Sequence, residues 1–370
     1  MYFAQNRIAG KTYMVPVNMA NVSGTALAIR GDLREKYGLP KINTMEDLEA
    51  YFEAVAADKN SGVSFAYHAA QDNKRLREIQ FNQGNDFLIF AGALVDYFSY
   101  KYSSNVQPED LFWIYSRPEY LEFLKTQKRF ADIGAWSKSA VNNTTQMQDS
   151  FLNGISASFG NNLGTIGTVA SQVAQAHPEW NPELVDLYPE TNRFYLAATE
   201  GYAVPVSSQN QGRAFMSLDL LKFDENLYHL ARNGIEGTHY TRPGPGLWMP
   251  GPAYDNYPFG VAISWGLKNK MYDLVRSDIF PDQKTISDDW NSRGIASPTA
   301  SFAFDDRAVQ NELANLRNIY LQHIPLLELG LVRDIEASLA EFQRQAEIAG
   351  LAKIAAEAQR QFKDHLDAMR

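Results

Sequence analysis

Hydrophobic positions change their spacing from one region of the chain to the next. Thr25–Arg30 is a short, nearly continuous apolar run. Thr44 stands three residues before Asp47, which is the spacing of a helix cap, and apolar residues then recur at helical intervals. This pattern predicts a helix that ends near Asp58, with these residues on its buried face: Leu48, Tyr51, Phe52 and Val55.

The next segments continue the alternation of strands and helices. The pattern predicts a strand at Val63–Tyr67, a helix that begins at Pro118 and closes before Gly134, a helix near Thr145–Asn153 and a strand at Ile155–Phe159. Strands that alternate with helices indicate an α/β fold with largely parallel sheets and helices on their faces.

After Asp305 the spacing becomes helical throughout. One block carries apolar positions from Val309 to Tyr320 and is ended by Gly330, and two further blocks begin near Ile335 and at Leu351. Apolar stripes of this kind are the core faces of packed helices. The segment 305–370 is therefore predicted to be a C-terminal helical region.

Two similar stretches place a proline at the end of an apolar run. Thr12–Pro16 and Gly201–Pro205 each lead through small polar residues into a new element. Proline fixes its own φ and lacks an N–H, so it suits the end of a strand where the backbone leaves a sheet. We interpret both stretches as places where the chain crosses between two lobes.

Composition narrows the class of protein. A chain of 370 residues with 45% hydrophobic content divides into about two domains. A net charge of -9 argues against a nucleic-acid or anionic-membrane partner, since both require a basic face. The sequence has no cysteine, which excludes disulfides and thiol catalysis.

The apolar stretches are too short to span a bilayer. The longest, Phe87–Val95, falls well below the roughly 20 residues that a transmembrane helix needs. Neither a basic region nor a sustained apolar region follows Met1, so no signal peptide is visible. Two explanations stay open: the protein is cytoplasmic, or its beginning is missing.

Motifs for enzymatic chemistry are lacking. The six histidines stand apart, without metal-ligand spacing, and the serines show no nucleophile-elbow motif. Gly160–Gly167 lacks the pattern of a nucleotide-binding loop. We therefore predict no metal, no cofactor and no catalytic residue. The many Asp and Glu residues include no pair that the sequence singles out as a glycosidase dyad.

The chain does carry residues suited to a sugar. Planar side chains stack on the apolar faces of sugars, while amides bind the hydroxyl groups. Asn161 and Asn162 follow the predicted strand that ends at Phe159 and precede a helix beginning near Thr165, where open α/β sheets place ligands. A Gly- and Pro-rich stretch, 243–266, adds four aromatic candidates: Trp248, Tyr254, Tyr257 and Trp265. The alternative is that these rings fill a proline-braced core.

Several motifs, in order along the chain, resemble those of bacterial ABC-transporter solute-binding proteins. They are Gly10–Pro16, Ala26–Leu33, Thr44–Glu49, Phe151–Gly160 and Glu200–Phe215. The last departs from the family pattern, because Gln211-Gly212 replaces its usual Pro-Glu. Two more segments, Asn233–Tyr240 and Ala349–Gln361, look like a subgroup of large lipoprotein-type sugar-binding proteins.

The resemblance implies a class II periplasmic-binding-protein fold, related to maltose-binding protein. In such proteins two α/β lobes joined by a hinge close on a ligand without covalent chemistry, and a membrane permease recognises the closed form. For this chain it implies a monomeric, extracytoplasmic carrier of a mono- or oligosaccharide, as a surface lipoprotein or in the periplasm. The family's signal peptide, lipobox cysteine and first β-α units are not seen, so we expect an N-terminal truncation with an incomplete first lobe.

The resemblance also predicts a division of the chain. We expect residues 1–16 to be a remnant of lobe 1, 17–203 to form lobe 2, 204–250 to return to lobe 1 and 251–304 to form an aromatic cleft and hinge segment, followed by the helices of 305–370. Asn18 and Asn21, just past the first crossing, become ligand candidates beside Asn161 and Asn162.

Two other functions stay open at this point. A carbohydrate-active hydrolase would need two carboxylates facing one cleft, one of them with a raised pKa. A non-catalytic surface interaction protein would bind another protein and would lack a sugar pocket.

Overall fold

The computed structural model describes residues 7–8, 11–19, 21–71, 73–89, 92–94, 96–103, 105–196, 200–257, 263, 265–297, 299 and 302–369. The chain forms two compact units. Unit 1 consists of Met1–Val22, Phe194–Ile279 and Gly294–Ser301. Unit 2 consists of Ser23–Arg193, Phe280–Arg293 and Phe302–Arg370. The chain passes from unit 1 to unit 2 between residues 22 and 23, where the prediction was 16 and 17, and it returns between residues 193 and 194, where the prediction was 203 and 204. The C-terminal helices belong to unit 2.

The central sheet of unit 2 is built around one fully buried strand. Strand β5 (Thr25–Arg30) lies between β9 (Ser158–Asn162) and β10 (Pro182–Val185), and all six of its residues are buried. Both pairings are antiparallel, so the prediction of largely parallel sheets is wrong for this sheet. The reason is that the chain runs through both β9 and β10 in the direction opposite to β5.

Helices surround this sheet and a second, antiparallel sheet of unit 2. The second sheet has the order β6 (Phe87–Ile89), β7 (Phe98–Lys101) and β8 (Leu111–Trp113). The α-helices of unit 2 within its first segment, Ser23–Arg193, are α1 (Gly31–Lys36), α2 (Met45–Ala57), α3 (Lys74–Leu76), α4 (Pro118–Asp132), α5 (Met147–Leu152) and α6 (Leu163–Ala176).

Two of the predicted helices form for the predicted reasons. Thr44 and Asp47 make a reciprocal capping box at the start of α2, with the Asp47 backbone N 3.1 Å from the Thr44 hydroxyl. Pro118 occupies the first turn of α4, and Gly134 follows its end with a φ of +82°. Between them Phe52 of α2 packs edge-on against Phe130 of α4, with ring centroids 5.0 Å apart.

Two predicted strands differ from the structure. Val63–Tyr67 is an irregular segment with a single parallel bridge, Phe65 to Ser156. The strand predicted at Ile155–Phe159 is instead Ser158–Asn162, because its register is set by pairing with β5 rather than by local alternation.

The C-terminal region is helical, as predicted. Its helices are α10 (Gln310–Glu328), α11 (Ile335–Ile348) and α12 (Leu351–Met369), and α9 (Pro281–Ser292) is a separate helix of unit 2. Most positions of the predicted apolar stripes are buried, including Leu316, Phe342 and Phe362, while Ile319 is half-buried.

Unit 1 is made of short strands and two longer helices. Its strands are β1 (Arg7–Ile8), β2 (Lys11–Thr12), β3 (Val15–Pro16), β12 (Gly201–Tyr202), β13 (Tyr240–Thr241), β14 (Leu247–Pro250) and β15 (Val275–Arg276). Its helices include α7 (Gln211–Phe223) and α8 (Glu225–Asn233). The two proline-ended stretches meet here, since β3 pairs antiparallel with β12 and Pro16 lies opposite Gly201.

Three strands lie where the chain passes between the units. They are β4 (Asn21–Ser23), β11 (Arg193–Leu196) and β16 (Gly294–Ala296), and they form one sheet in the order β16-β11-β4. Within the described residues no helix is both long and apolar enough to cross a membrane.

Candidate functional site

The candidate site of unit 2 begins at one end of its central sheet. The last two residues of β9, Asn161 and Asn162, lie opposite Ala26 and Thr25 of β5. They are therefore the end of the strand and do not follow it as predicted. The Asn162 side chain caps α6 by accepting a hydrogen bond from the backbone N of Thr165 at 2.9 Å. Helix α6 accordingly begins at Leu163.

A helical segment, 74–85, packs against this end of the sheet and supplies three polar side chains. It runs from α3 through a π-helix, Arg77–Asn82, into a 3-10 turn, Gln83–Asn85. Arg75 donates to Asn161 Oδ1 at 3.1 Å and to Glu78 Oε2 at 2.7 Å. The sequence had given no reason to assign these residues to the site.

The same segment holds the first residue of β5. Thr25 donates its hydroxyl to Glu78 Oε2 at 2.7 Å. The Gln83 amide brackets the Thr25 backbone, accepting from its N at 2.6 Å and donating to its O at 2.9 Å. We name the following six residues the strand-end cluster: Thr25, Arg75, Glu78, Gln83, Asn161 and Asn162.

The strand-end cluster combines the groups that bind hydroxyls. Asn162 is exposed, and Arg75, Gln83 and Asn161 are half-buried, so the cluster reaches solvent. Its amide and guanidinium N–H groups donate hydrogen bonds and its carboxylate and amide oxygens accept them. Glu78 is the one carboxylate among the six, and it is paired with Arg75. The cluster by itself therefore offers polar recognition and no pair of carboxylates for acid–base chemistry.

The buried Trp290 packs against Gly24, next to the strand-end cluster. A Cβ added at Gly24 would lie 2.8 Å from the Trp290 ring and 3.2 Å from Gln83 Oε1, so the close approach requires glycine there. Trp290 donates to Asp186 Oδ2 at 2.6 Å, and the Arg193 guanidinium lies 4.9 Å from its ring centroid. Trp290 is 2% exposed, so it braces the strand end and is not a surface for stacking.

Two of the aromatic candidates lie together in unit 1. The ring centroids of Trp248 and Tyr254 are 5.9 Å apart, and the Arg276 guanidinium lies 5.5 Å from the Trp248 ring. Both aromatic side chains are half-buried. They present an aromatic surface of the kind that stacks on sugars, and their contact with a ligand stays a prediction.

The other candidates of unit 1 stand in different surroundings. The Tyr257 hydroxyl donates to the Leu230 and Ala231 carbonyl oxygens at 2.8 and 3.0 Å, so its polar end is engaged by α8. Trp265 is 60% exposed, with the Lys268 ammonium 5.6 Å from its ring.

The two asparagines near the first crossing also differ from each other. The Asn18 amide donates to Asn269 Oδ1 at 2.9 Å and accepts from the Lys270 backbone N at 2.8 Å. Both of its polar atoms are thus used within unit 1. Asn21 lies in β4, and its side chain is outside the described part of the chain.

Among the described residues, no group of three or more His, Asp or Glu side chains is close enough to hold a metal ion. The candidate sites are thus the strand-end cluster of unit 2 and the Trp248–Tyr254 surface of unit 1.

Solved structures with a similar fold are numerous. The crystal structure of the N-glycan transport solute binding protein NgtS from Streptococcus pneumoniae has a TM-score of 0.76 and 19% identity, and the similarity covers 100% of this chain and 78% of NgtS. Its complex with Man1GlcNAc has a TM-score of 0.70 and 18% identity, covering 99% and 79%. An HMO binding, ABC-transporter associated solute binding protein from Bifidobacterium longum infantis has a TM-score of 0.65 and 13% identity, and the similarity covers 96% of this chain and 77% of that protein.

The fold is that of the ABC-transporter solute-binding proteins. This confirms the predicted two-lobe class, with mixed helices and sheets, and the resemblance from which it was inferred. Within this solute-binding-protein fold, residues 298–367 match a family model described as a domain of unknown function (DUF3502). No curated protein sequence matches the chain significantly.

Of the six residues of the strand-end cluster, the sequence analysis had singled out two, Asn161 and Asn162. It missed Arg75, Glu78 and Gln83, which lie in an irregular helical segment, and Thr25, whose side chain and backbone bond to that segment. The charge pair at i and i+3, Arg75 and Glu78, was the available hint, since such pairs mark helix surfaces. It pointed to a helix and gave no indication that the helix ends beside β5 and β9.

Proposed function

We propose that the protein is the extracytoplasmic solute-binding component of an ABC importer and that it captures a carbohydrate for delivery to membrane permease subunits. The observation that carries the proposal is the similarity, over the whole chain, to NgtS, which is an N-glycan transport protein with structures in complex with Man1GlcNAc and Man5GlcNAc. A second similar protein is described as binding HMO. The proposed role is binding without covalent chemistry.

The strand-end cluster supports this proposal. We assign it to the ligand's hydroxyl groups, with Arg75, Asn161 and Asn162 donating and Glu78 accepting. Charged and amide groups held by mutual hydrogen bonds are preorganised, which limits the entropy lost when a ligand binds. We also retain the Trp248–Tyr254 surface of unit 1 as a stacking surface for a sugar ring.

The test is calorimetry and thermal shift with the full chain against mannose-containing N-glycan fragments and milk oligosaccharides. A ligand present at about 100 times its Kd should add about 2.7 kcal/mol to the unfolding free energy. The glycan should be recovered intact after incubation, which separates binding from hydrolysis. Flat titrations with every glycan of the panel would contradict the proposal.

A matched pair of variants tests the cluster itself. Asn161→Ala should weaken glycan binding about tenfold, because one net hydrogen bond contributes about 1 kcal/mol or somewhat more. Asn153→Ala removes an exposed amide outside the cluster, which donates to the Asp149 carbonyl at the end of α5, and should leave the affinity unchanged. Equal affinities for the two variants would remove the cluster from the site.

A further inference from the structure

The end of α10 is inserted into the interior of unit 2. Glu328 is 0% exposed. Its backbone O accepts a hydrogen bond from Asn73 Nδ2 at 3.0 Å, and the backbone O of Leu329 accepts one from Trp136 Nε1 at 3.0 Å. Gly330 follows with a φ of +63°, in the left-handed region that favours glycine. This turn is therefore buried within unit 2, and it belongs to the segment that matches the domain of unknown function.

The Glu328 side chain forms an ion pair with the helical segment 74–85. Its Oε1 accepts from Arg77 Nη1 at 2.7 Å and from the Tyr120 hydroxyl at 3.0 Å. Arg77 also donates to Asp96 Oδ1 at 3.0 Å, and its side chain is 4% exposed. A buried ion pair adds little net stability, yet it is geometrically demanding, because an unpaired buried charge is costly. This pair thus favours one placement of Arg77 over others.

Arg77 is the first residue of the π-helix and stands between two residues of the strand-end cluster. Arg75 and Glu78 contact Asn161 and Thr25 while Arg77 reaches Glu328. A π-turn changes the angular position of every residue that follows it, and π-turns are frequent at functional sites. The ion pair with Glu328 therefore fixes the rotation at which Glu78 and Gln83 meet β5.

We propose that the C-terminal helical region positions the strand-end cluster through the Glu328–Arg77 ion pair and so sets its affinity for glycan. This inference rests on the proposed function for its ligand. Glu328 and Arg77 are positioning residues, since they act through the helical segment 74–85. The segment described as a domain of unknown function thereby acquires a role in ligand binding.

The test uses Glu328→Gln, which keeps the shape and one hydrogen-bond acceptor but removes the charge. We expect glycan affinity to fall about three- to tenfold, as for other residues that modulate a site through packed neighbours. Hydrogen exchange should quicken selectively in residues 74–85 and at Thr25. Should Glu328→Gln fail to fold, Tyr120→Phe removes one of the hydrogen bonds to Glu328 and should give a smaller change in the same direction.

The matched control is Phe362→Leu in α12. Its ring is fully buried against Tyr100 and Phe302, and it lies in the same C-terminal region as Glu328. It should lower the melting temperature while leaving glycan affinity and the exchange of residues 74–85 unchanged. An equal loss of affinity in Phe362→Leu and Glu328→Gln would show general destabilisation and would overturn the positioning role.

Failure of this inference and failure of the proposed function give different results. If the unaltered protein binds no glycan, the proposed function fails, and the exchange measurement still decides whether Glu328 controls residues 74–85. If the unaltered protein binds and Glu328→Gln binds equally well, with unchanged exchange in residues 74–85, the positioning role is wrong and the proposed function stands.

Discussion

Helix α2 of unit 2 and helix α7 of unit 1 are both 13 residues long. Helix α2 buries Leu48, Tyr51, Phe52 and Val55, whereas the one buried residue of α7 is Lys222. The apolar residues of α7 are spread around the helix, and these four lie at the surface: Phe215, Met216, Leu220 and Phe223. Apolar content alone therefore does not bury a helix, since burial also requires an opposing surface.

The cores of the two units differ in the same way. The aromatic core of unit 2 joins α2, α4 and the C-terminal helices, and its rings include Phe52, Phe130 and Phe342. The described core of unit 1 is small and centres on Tyr228, Ala231 and Leu267. Helices α7 and α8 expose several large apolar side chains, among them Met216, Leu220 and Leu230. Exposed apolar surface of this kind is typical of interaction sites and of aggregation-prone surfaces when it is contiguous. The comparison predicts that the same change has unequal effects in the two units.

The largest contrast is expected between two phenylalanines. Phe52→Ala should lower the unfolding free energy by about 3–5 kcal/mol, because it opens a cavity in a packed core. Phe215→Ala, at a side chain 48% exposed on α7, should change it by less than about 0.5 kcal/mol. Urea unfolding of both variants measures the difference. Similar losses would mean that the α7 surface is covered in solution.

A smaller contrast is expected between two arginines of unit 2. Arg77→Met should cost about 3 kcal/mol, because it removes the guanidinium that is paired with the buried Glu328 carboxylate. Arg344→Met breaks an exposed pair with Glu341 and should leave the melting temperature unchanged. Thermal unfolding of both variants measures this difference. A negligible effect of Arg77→Met would show that the ion pair with Glu328 is readily replaced.

The pH dependence should separate the units. Burial lowers the pKa of His68 in unit 2 below 6.5, so the unfolded chain protonates first and stability is lost as the pH falls below that value. Burial likewise lowers the pKa of Lys222 in unit 1 below 10.5, so its cost to stability fades as the pH rises toward that value.

Two substitutions test these windows. His68→Asn should flatten the stability curve on the acidic side. Lys222→Met should flatten the curve on the alkaline side. Unchanged slopes in both windows would show that neither group titrates differently in the folded state.

The smallest effect on stability is expected at the exposed surface of α7. The double variant Met216→Lys/Leu220→Glu should leave the unfolding free energy nearly unchanged, because neither side chain is buried. Binding of the apolar-surface dye ANS should fall, and solubility should rise. The matched unit 2 variant, Leu321→Lys on α10, should change dye binding little, since the exposed Leu321 has fewer exposed apolar neighbours on its helix. Unchanged dye binding in the double variant would show that ANS binds to a surface other than that of α7.

Much of the fold could be predicted from local patterns. The Thr44 capping box, the Pro118 helix start and the C-terminal stripes depend on residues a few positions apart, and all three are confirmed. The strand at Val63–Tyr67 was wrong, because an apolar run becomes a strand only when a partner pairs along its length. The predicted bounds of β9 were wrong for the same reason.

The candidate site could be predicted only in part. Asn161 and Asn162 were singled out because a strand followed by a helix is visible in the sequence, although the strand extends through both residues, and their contact with a ligand stays a prediction. Arg75 and Gln83 were missed, since they are separated from their partners Asn161 and Thr25 by 86 and 58 positions. Such contacts leave no periodic trace in one sequence.

The sequence by itself determined most helices and, through its ordered motifs, the solute-binding-protein fold. These properties follow from composition and from interactions between residues three or four positions apart. Only the tertiary structure decided that the helical segment 74–85 meets the ends of β5 and β9, that Glu328 is buried against Arg77, and that α7 stays exposed while α2 is covered. Those outcomes depend on which distant surfaces come together, and a helix carries the same local pattern whether or not another element packs against it.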